Sequence, residues 1–199
     1  MRVTVASTYL GSIGLYKILA SASEIGVEVN DHYSRQTFRT RTEIMGPNGC
    51  ETLIVPVVKP QEKTPIKDIL INNDKRWQME HLRSIEAAYN SSPFTEYYID
   101  DLIPFYTKPF KYLADFNMGL QQTICELIGI TAPQSFTESY ERCLEHDYRA
   151  LVEKKVAREN PCEVRPYYQV FQQKFGFKSG LSIIDLLMNM GPESILYLK

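Results

Sequence analysis

The clearest repeat of apolar positions along this chain falls just past its middle. Leu113, Phe116, Leu120, Ile124, Leu127 and Ile128 recur at the spacing of one helix face. That pattern predicts an amphipathic helix over residues 111–128, with Gly129 as its stop. Trp77, His81, Ile85 and Ala88 repeat the spacing behind an Asn73-Asp74 cap. The run ends across Tyr89 to Pro93, because the residue before a proline avoids helical backbone. His81 therefore lies on an inward stripe, either as a core histidine satisfied by a backbone carbonyl or as part of a site. A mostly apolar segment, residues 183–190, predicts a buried helix capped by Ser182 and stopped at Gly191-Pro192. Residues 94–106 are aromatic and partly helical, with a break at Pro104.

Strand-like runs gather in the first third. Residues 3–7 and 26–30 read as short buried strands, and between them Thr8 to Lys17 leads into a helix ending near Ser23. Free N–H groups at that helix start could hold an anion, but Gly11 and Gly14 match no phosphate-binding fingerprint and a plain turn is the simpler reading. Residues 37–45 are polar and arginine-rich, whereas 51–58 are nearly uncharged, and Met45 to Cys50 turns between them. With Asn48-Gly49 in the turn, the pair predicts a hairpin. Ile66 to Ile71 follows a Pro/Lys-rich loop as a fifth strand, in which Lys67 and Asp68 either reach a site or guard an edge. Residues 131–165 are polar and highly charged, as an exposed helix with loops or as a lid over a site. Strands early and helices late predict an α+β fold. The expected architecture is a single domain over residues 1–199, with a central mixed sheet from the N-terminal third packed by helices from the C-terminal two-thirds.

Composition narrows the partners. A formal net charge of −2 gives no electrostatic footprint for nucleic acid. The first residues are too polar for a secretory signal, and no apolar run approaches the roughly 20 residues that span a bilayer. Cys50, Cys125, Cys143 and Cys162 are widely spaced with no CxxC pair, so neither a metal site nor a cofactor motif is assigned. These features predict a reduced, cytoplasmic protein without membrane insertion, with a second copy of the chain as an open partner.

Candidate chemistry concentrates between Val27 and Val58. Glu28, Asp31, His32, Arg35, Arg39, Arg41 and Glu43 crowd this stretch. In an extended strand Arg39 and Arg41 share one face, and two guanidinium forks there suit a phosphate or carboxylate. Ion pairing with Glu28, Asp31 or Glu43 is the competing reading. His32 and His81 are the candidate proton acceptors, since histidine titrates near working pH. Asp31, Arg35, Arg39, Arg41, Lys67 and Trp77 are the candidate substrate-binding residues. A hydrolytic reading with Cys50 or Ser34 as nucleophile beside His32 also stands, although nothing in the sequence lowers the Cys50 pKa.

At this point the residues support a resemblance. The run His32 to Arg41 (HYSRQTFRTR), with Gly46 to Gly49 (GPNG) and Leu53 to Val57 (LIVPV), resembles the WbqC-like family. So do Trp77 and His81 followed by Ser84-Ile85 and Ala88-Tyr89, Ser92-Pro93-Phe94, and the ending Tyr168 to Phe171, Phe175 to Phe177, Leu181 to Leu187 and Gly191-Pro192. The resemblance covers essentially the whole chain. It implies a place in surface-polysaccharide and O-antigen synthesis, with transfer of glycine or a similar amino-acyl group to a sugar as the proposed activity. The implied ligand is a small molecule, an activated sugar or an amino-acyl donor. A non-catalytic ligand-binding or scaffold protein of the same pathway is the alternative. Relatives carry an acidic pair before the arginine-rich strand where this chain has Asn30-Asp31-His32, so no metal is assigned.

Overall fold

The computed structural model describes residues 1–133, 135–159 and 164–199. In chain order its elements are β1 (Arg2–Ala6), α1 (Ile13–Ser21), β2 (Glu24–Glu28), the hairpin β3 (Arg41–Gly46) and β4 (Gly49–Ile54), α2 (Trp77–Tyr89), α3 (Thr95–Thr107), α4 (Leu113–Ile128), β5 (Ser135–Phe136), α5 (Lys154–Glu159), α6 (Gln172–Phe175), α7 (Ile183–Met190) and α8 (Ser194–Leu198). The fold is α+β, as its early strands and late helices predict.

The strands do not form one sheet. β1, β2 and β5 make a parallel sheet in that order, while β3 and β4 form a separate antiparallel hairpin. In the parallel sheet Thr4 pairs with Gly26 and Ala6 with Glu28, and alternation sends the two sides of each strand to different surroundings. Val3, Val5, Ile25 and Val27 are at most 1% exposed and face the core. Thr4, Ala6, Gly26 and Glu28 face the other way.

Two expected strands change character. Ile66–Asp68 is a 3-10 turn, and beyond it only single bridges tie Leu70 to Tyr112 and Ile71 to Val57. The buried residues Ile66 and Ile69 lie three apart, which is the period of a 3-10 turn and not the two-residue period of a strand. Residues 35–40 are turns, and Gln36 has a positive φ of 62°, so the arginine-rich strand begins only at Arg41. In the hairpin itself Gly46 pairs with Gly49, making Pro47-Asn48 the loop, and Gly49 alone carries a positive φ there.

The helices follow the apolar pattern closely. α4 ends at Gly129 in left-handed geometry, and Ser182 caps α7 by accepting from Ile184 N. Pro104 does not break α3, which runs continuously to Thr107. Both Pro104 and Asp100, whose carbonyl loses its helical donor, face solvent. The turn into α1 is buried from Ser7 to Gly11, and Ser12 Oγ accepts from Leu15 N, so this is the plain capped turn and not an open anion loop. No helix among the described residues is long and apolar enough to cross a membrane.

Candidate functional site

Glu28 is the last residue of β2 and points to the polar side of the parallel sheet, where it is only 2% exposed. A buried carboxylate must be matched by donors. Its oxygens accept from Asn30 N at 2.6 Å and Thr137 Oγ1 at 2.9 Å, and Arg149 Nη1 lies at 3.4 Å. Arg149 in turn grips Asp147 through Nε at 2.9 Å and Nη2 at 2.6 Å, with its guanidinium over the Tyr140 ring. The Arg149 hydrogen bonds hold the Asp147 carboxyl below its usual range, and the same bonds raise the Arg149 pKa.

The chain leaving β2 builds a second buried pair. Arg39 is 3% exposed and donates through Nη2 to Asp31 Oδ2 at 2.6 Å and through Nη1 to Ser34 Oγ at 2.9 Å. Ser34 Oγ also reaches Glu153 at 3.3 Å. Burial lowers the Arg39 pKa, and Asp31 and Glu153 oppose that effect. Arg39 Nε is buried with no hydrogen-bond partner among the described residues. A third pair joins Glu43 to Lys154. One segment, residues 147–154, thus answers charges on β2, on the following turn and on the hairpin. It is the polar stretch that reads from sequence as exposed or lid-like.

Arg41 sits beside that third pair. It is half-buried, with Nε buried and unpartnered among the described residues. Arg41, Glu43, Thr37, Thr52 and Lys154 line a small cavity of about 40 Å³. Arg39 and Arg41 do not share a strand face, because the turn at 35–40 sends one guanidinium to Asp31 and the other to this cavity. Ion pairing has won at Arg39, and Arg41 keeps an uncommitted donor. Arg35 is exposed in the turn. Lys67 Nζ donates to Asn30 Oδ1 at 3.0 Å, and so stands next to the Glu28 network.

The histidines separate. His32 is exposed in the loop after β2, where its backbone bridges Pro65 and its N–H donates to Asp31 Oδ1 at 2.7 Å. His81 is 6% exposed among Tyr9, Trp77 and Tyr106. Burial pushes its pKa down to about 4, against a hydrogen bond to the Ile54 carbonyl. With that proton committed, Nδ1 accepts from the Tyr9 hydroxyl at 2.9 Å, and Tyr9 and Tyr106 hydroxyls bond each other at 2.9 Å. His81 is thus a neutral core residue. Trp77, 3% exposed and edge-on to His81 and Phe116, belongs to the same interior cluster. The structure therefore brings Asp31, His32, Arg39 and Lys67 around the end of β2, with Arg41 adjacent through Lys154, and leaves His81 and Trp77 in the core.

The sequence reading places no role on Arg149, Asp147, Thr137 or Lys154. One signal was available: Glu28 stands between the apolar Ile25-Gly26-Val27 and Val29, and a carboxylate buried there demands a cation from elsewhere. The Ser34 hydroxyl is tied to Arg39 and Glu153, and Cys50 lies at the hairpin tip opposite Met45. The fourth cysteine, Cys162, lies outside the described residues. Among the described residues no three His, Cys, Asp or Glu side chains converge as a metal site.

Comparison with known proteins bears on the whole chain. It is 26% identical over 222 residues to the uncharacterized protein Rv1507c of Mycobacterium tuberculosis (strain ATCC 25618 / H37Rv), covering 98% of this chain and 96% of that one. No solved structure matches it. The model of the WbqC-like protein family matches residues 7–160, a span that includes α1, both charged pairs at the end of β2, the hairpin and the 147–154 segment. This chain belongs to the WbqC-like protein family.

Proposed function

We propose that this protein is a transferase of bacterial surface-polysaccharide (O-antigen) synthesis, joining glycine or a similar amino-acyl group to a sugar. The observation that carries the reading is Arg41, a half-buried guanidinium with an unpartnered Nε beside Lys154. A donor of that kind suits an anionic group, the carboxylate or phosphate of an activated substrate. Arg35, exposed in the preceding turn, and Lys67, exposed beside Asn30, add positive charge around the end of β2, and Arg39 holds the loop that carries His32 by locking Asp31. In the reaction a sugar amine or hydroxyl attacks the carbonyl carbon of an acyl phosphate or thioester. The new C–N or C–O bond forms, the bond to the phosphate or thiolate breaks, and that group leaves with the electron pair. His32 takes the proton of the attacking group. His81 has no part in this step, because its ring is buried, neutral and fully bonded.

A non-catalytic ligand-binding protein of the same pathway is the second reading. It is favoured by His32, whose orienting contacts run through its backbone. A thermal-shift panel of nucleotide sugars, nucleotides, glycine and acyl-coenzyme A tests both readings. A ligand at about 100 times its dissociation constant stabilises the native state by roughly 2.7 kcal/mol. We expect such a shift with an anionic donor, and its loss in Arg41→Gln. A shift that survives Arg41→Gln would remove Arg41 from the site.

A further inference from the structure

The polar side of the parallel sheet is roofed. Residues 137–148 leave β5 at one edge and return at the other, where Thr4 N donates to the His146 carbonyl and Tyr148 N to the Thr4 carbonyl. Between this roof and the sheet lies a cleft of about 400 Å³. That volume falls within the range of small-molecule sites. Thr4 and Glu28 form its floor, and Ser139, Glu141, Glu145 and His146 are on its roof.

Groups already committed do not decide what such a cleft binds. Glu28 is satisfied by Asn30 N, Thr137 and Arg149. Arg2, at the rim, is paired with Glu24 at 3.3 Å, and the Met1 amino group donates to Ser23 Oγ at 2.6 Å. Apart from the Met1 ammonium at the rim and the His146 ring, what is left is of one kind. Thr4 is 6% exposed, and its hydroxyl has no hydrogen-bond partner among the described residues. Glu141 is exposed, and among the described residues the Glu145 carboxylate has the His146 ring alone as a charged neighbour, at 3.9 Å. These groups are acceptors or hydroxyls, with the two roof carboxylates setting the sign. An anionic ligand would meet both of them and the Glu28 carboxylate beneath.

We propose that this cleft binds a compact amino alcohol, its primary ammonium held by Glu141 and Glu145 and its hydroxyls exchanging hydrogen bonds with Thr4 and Ser139. This assignment does not depend on the transferase reading, whose anion grip lies at Arg41. The probe is 2-amino-1,3-propanediol, titrated into the ¹⁵N-labelled full chain and followed by amide chemical shifts. Glycerol, which lacks the ammonium, is the control. We expect saturable shifts at Thr4, Gly26, Thr137 and Ser139, with glycerol at least tenfold weaker. The double variant Glu141→Gln with Glu145→Gln changes only exposed side chains and is expected to weaken the amine tenfold or more. Thr4→Val, nearly isosteric, is expected to weaken it severalfold while leaving the remaining spectrum in place. Equal response to glycerol, shifts elsewhere on the protein, no saturable shift, or binding unchanged in the double variant would each overturn the proposal.

Discussion

Acid should weaken this protein through His81, by an amount the structure allows to be worked out. The ring is buried and its pKa lies near 4 in the folded chain, against 6.5 ordinarily. A depressed folded value means the unfolded chain takes the proton first. The contribution of His81 to stability is therefore whole above the unfolded pKa and is lost as pH falls toward the folded one. Between pH 7 and pH 5 the two proton-binding curves separate by about 2 kcal/mol. For a chain of this size that is roughly 4–8 °C in melting temperature. The control is His81→Gln, whose amide can donate to the Ile54 carbonyl and accept from Tyr9 but does not titrate. Replacing a ring with an amide lowers absolute stability at every pH, so the quantity to read is the change in the gap. Urea unfolding of both proteins at pH 7 and pH 5 should show the gap shrinking by about 2 kcal/mol. Other groups, among them Asp147 and the buried Asp185, titrate equally in both proteins and cancel. Parallel pH profiles would refute the assignment of His81 as a neutral core residue.

Three other outcomes follow from the packing. Arg149→Ala leaves the buried Glu28 carboxylate without its cation, and loss of one partner of a buried pair costs about 3–5 kcal/mol; chemical denaturation should show it, while Arg2→Ala at the exposed Arg2–Glu24 pair should change stability little. Gly191→Ala should destabilise strongly in the same assay, because Gly191 has φ 53° and an added Cβ would sit 2.5 Å from the Phe94 ring. Cys125 is buried with its thiol pushed up to about 12, so peptide mapping after iodoacetamide should find Cys50 and Cys143 labelled and Cys125 spared until denaturant is added.

Much of this fold is legible along the chain because its helices are amphipathic. α2, α4 and α7 bury the apolar stripes that predict them, and Gly129 and Ser182 cap α4 and α7 as the residue chemistry requires, whereas α2 starts after Arg76 and not at the expected Asn73-Asp74 cap. The hairpin is equally legible from one charged and one uncharged run around GPNG. β5 is not, since Ser135–Phe136 joins the sheet by backbone pairing with Gly26 and Val27 inside a polar stretch that carries no apolar alternation. The arginines divide on the same ground. Sequence spacing assigns Arg39 and Arg41 to one face, but the 35–40 turn lets Arg39 reach back to Asp31, a contact set by tertiary geometry. Trp77 and His81 are visible as an inward stripe, and the structure takes them as core where a site was the competing reading. The segment 147–154 shows why charge runs are ambiguous: Arg149 and Lys154 read as solvated until their partners on β2 and the hairpin are known.

We propose that catalysis, with an anion grip at Arg41, is carried out by His32 and not by His81. Turnover answers it directly: the protein is incubated with glycyl phosphate or glycyl-coenzyme A and amino- or hydroxyl-bearing nucleotide sugars, and the glycylated product is detected by mass spectrometry. With His32 as the base, product is expected from the wild type and from His81→Gln under conditions where that variant is folded, and little or none from His32→Asn or Arg41→Gln. Product retained in His32→Asn and abolished in folded His81→Gln would contradict it.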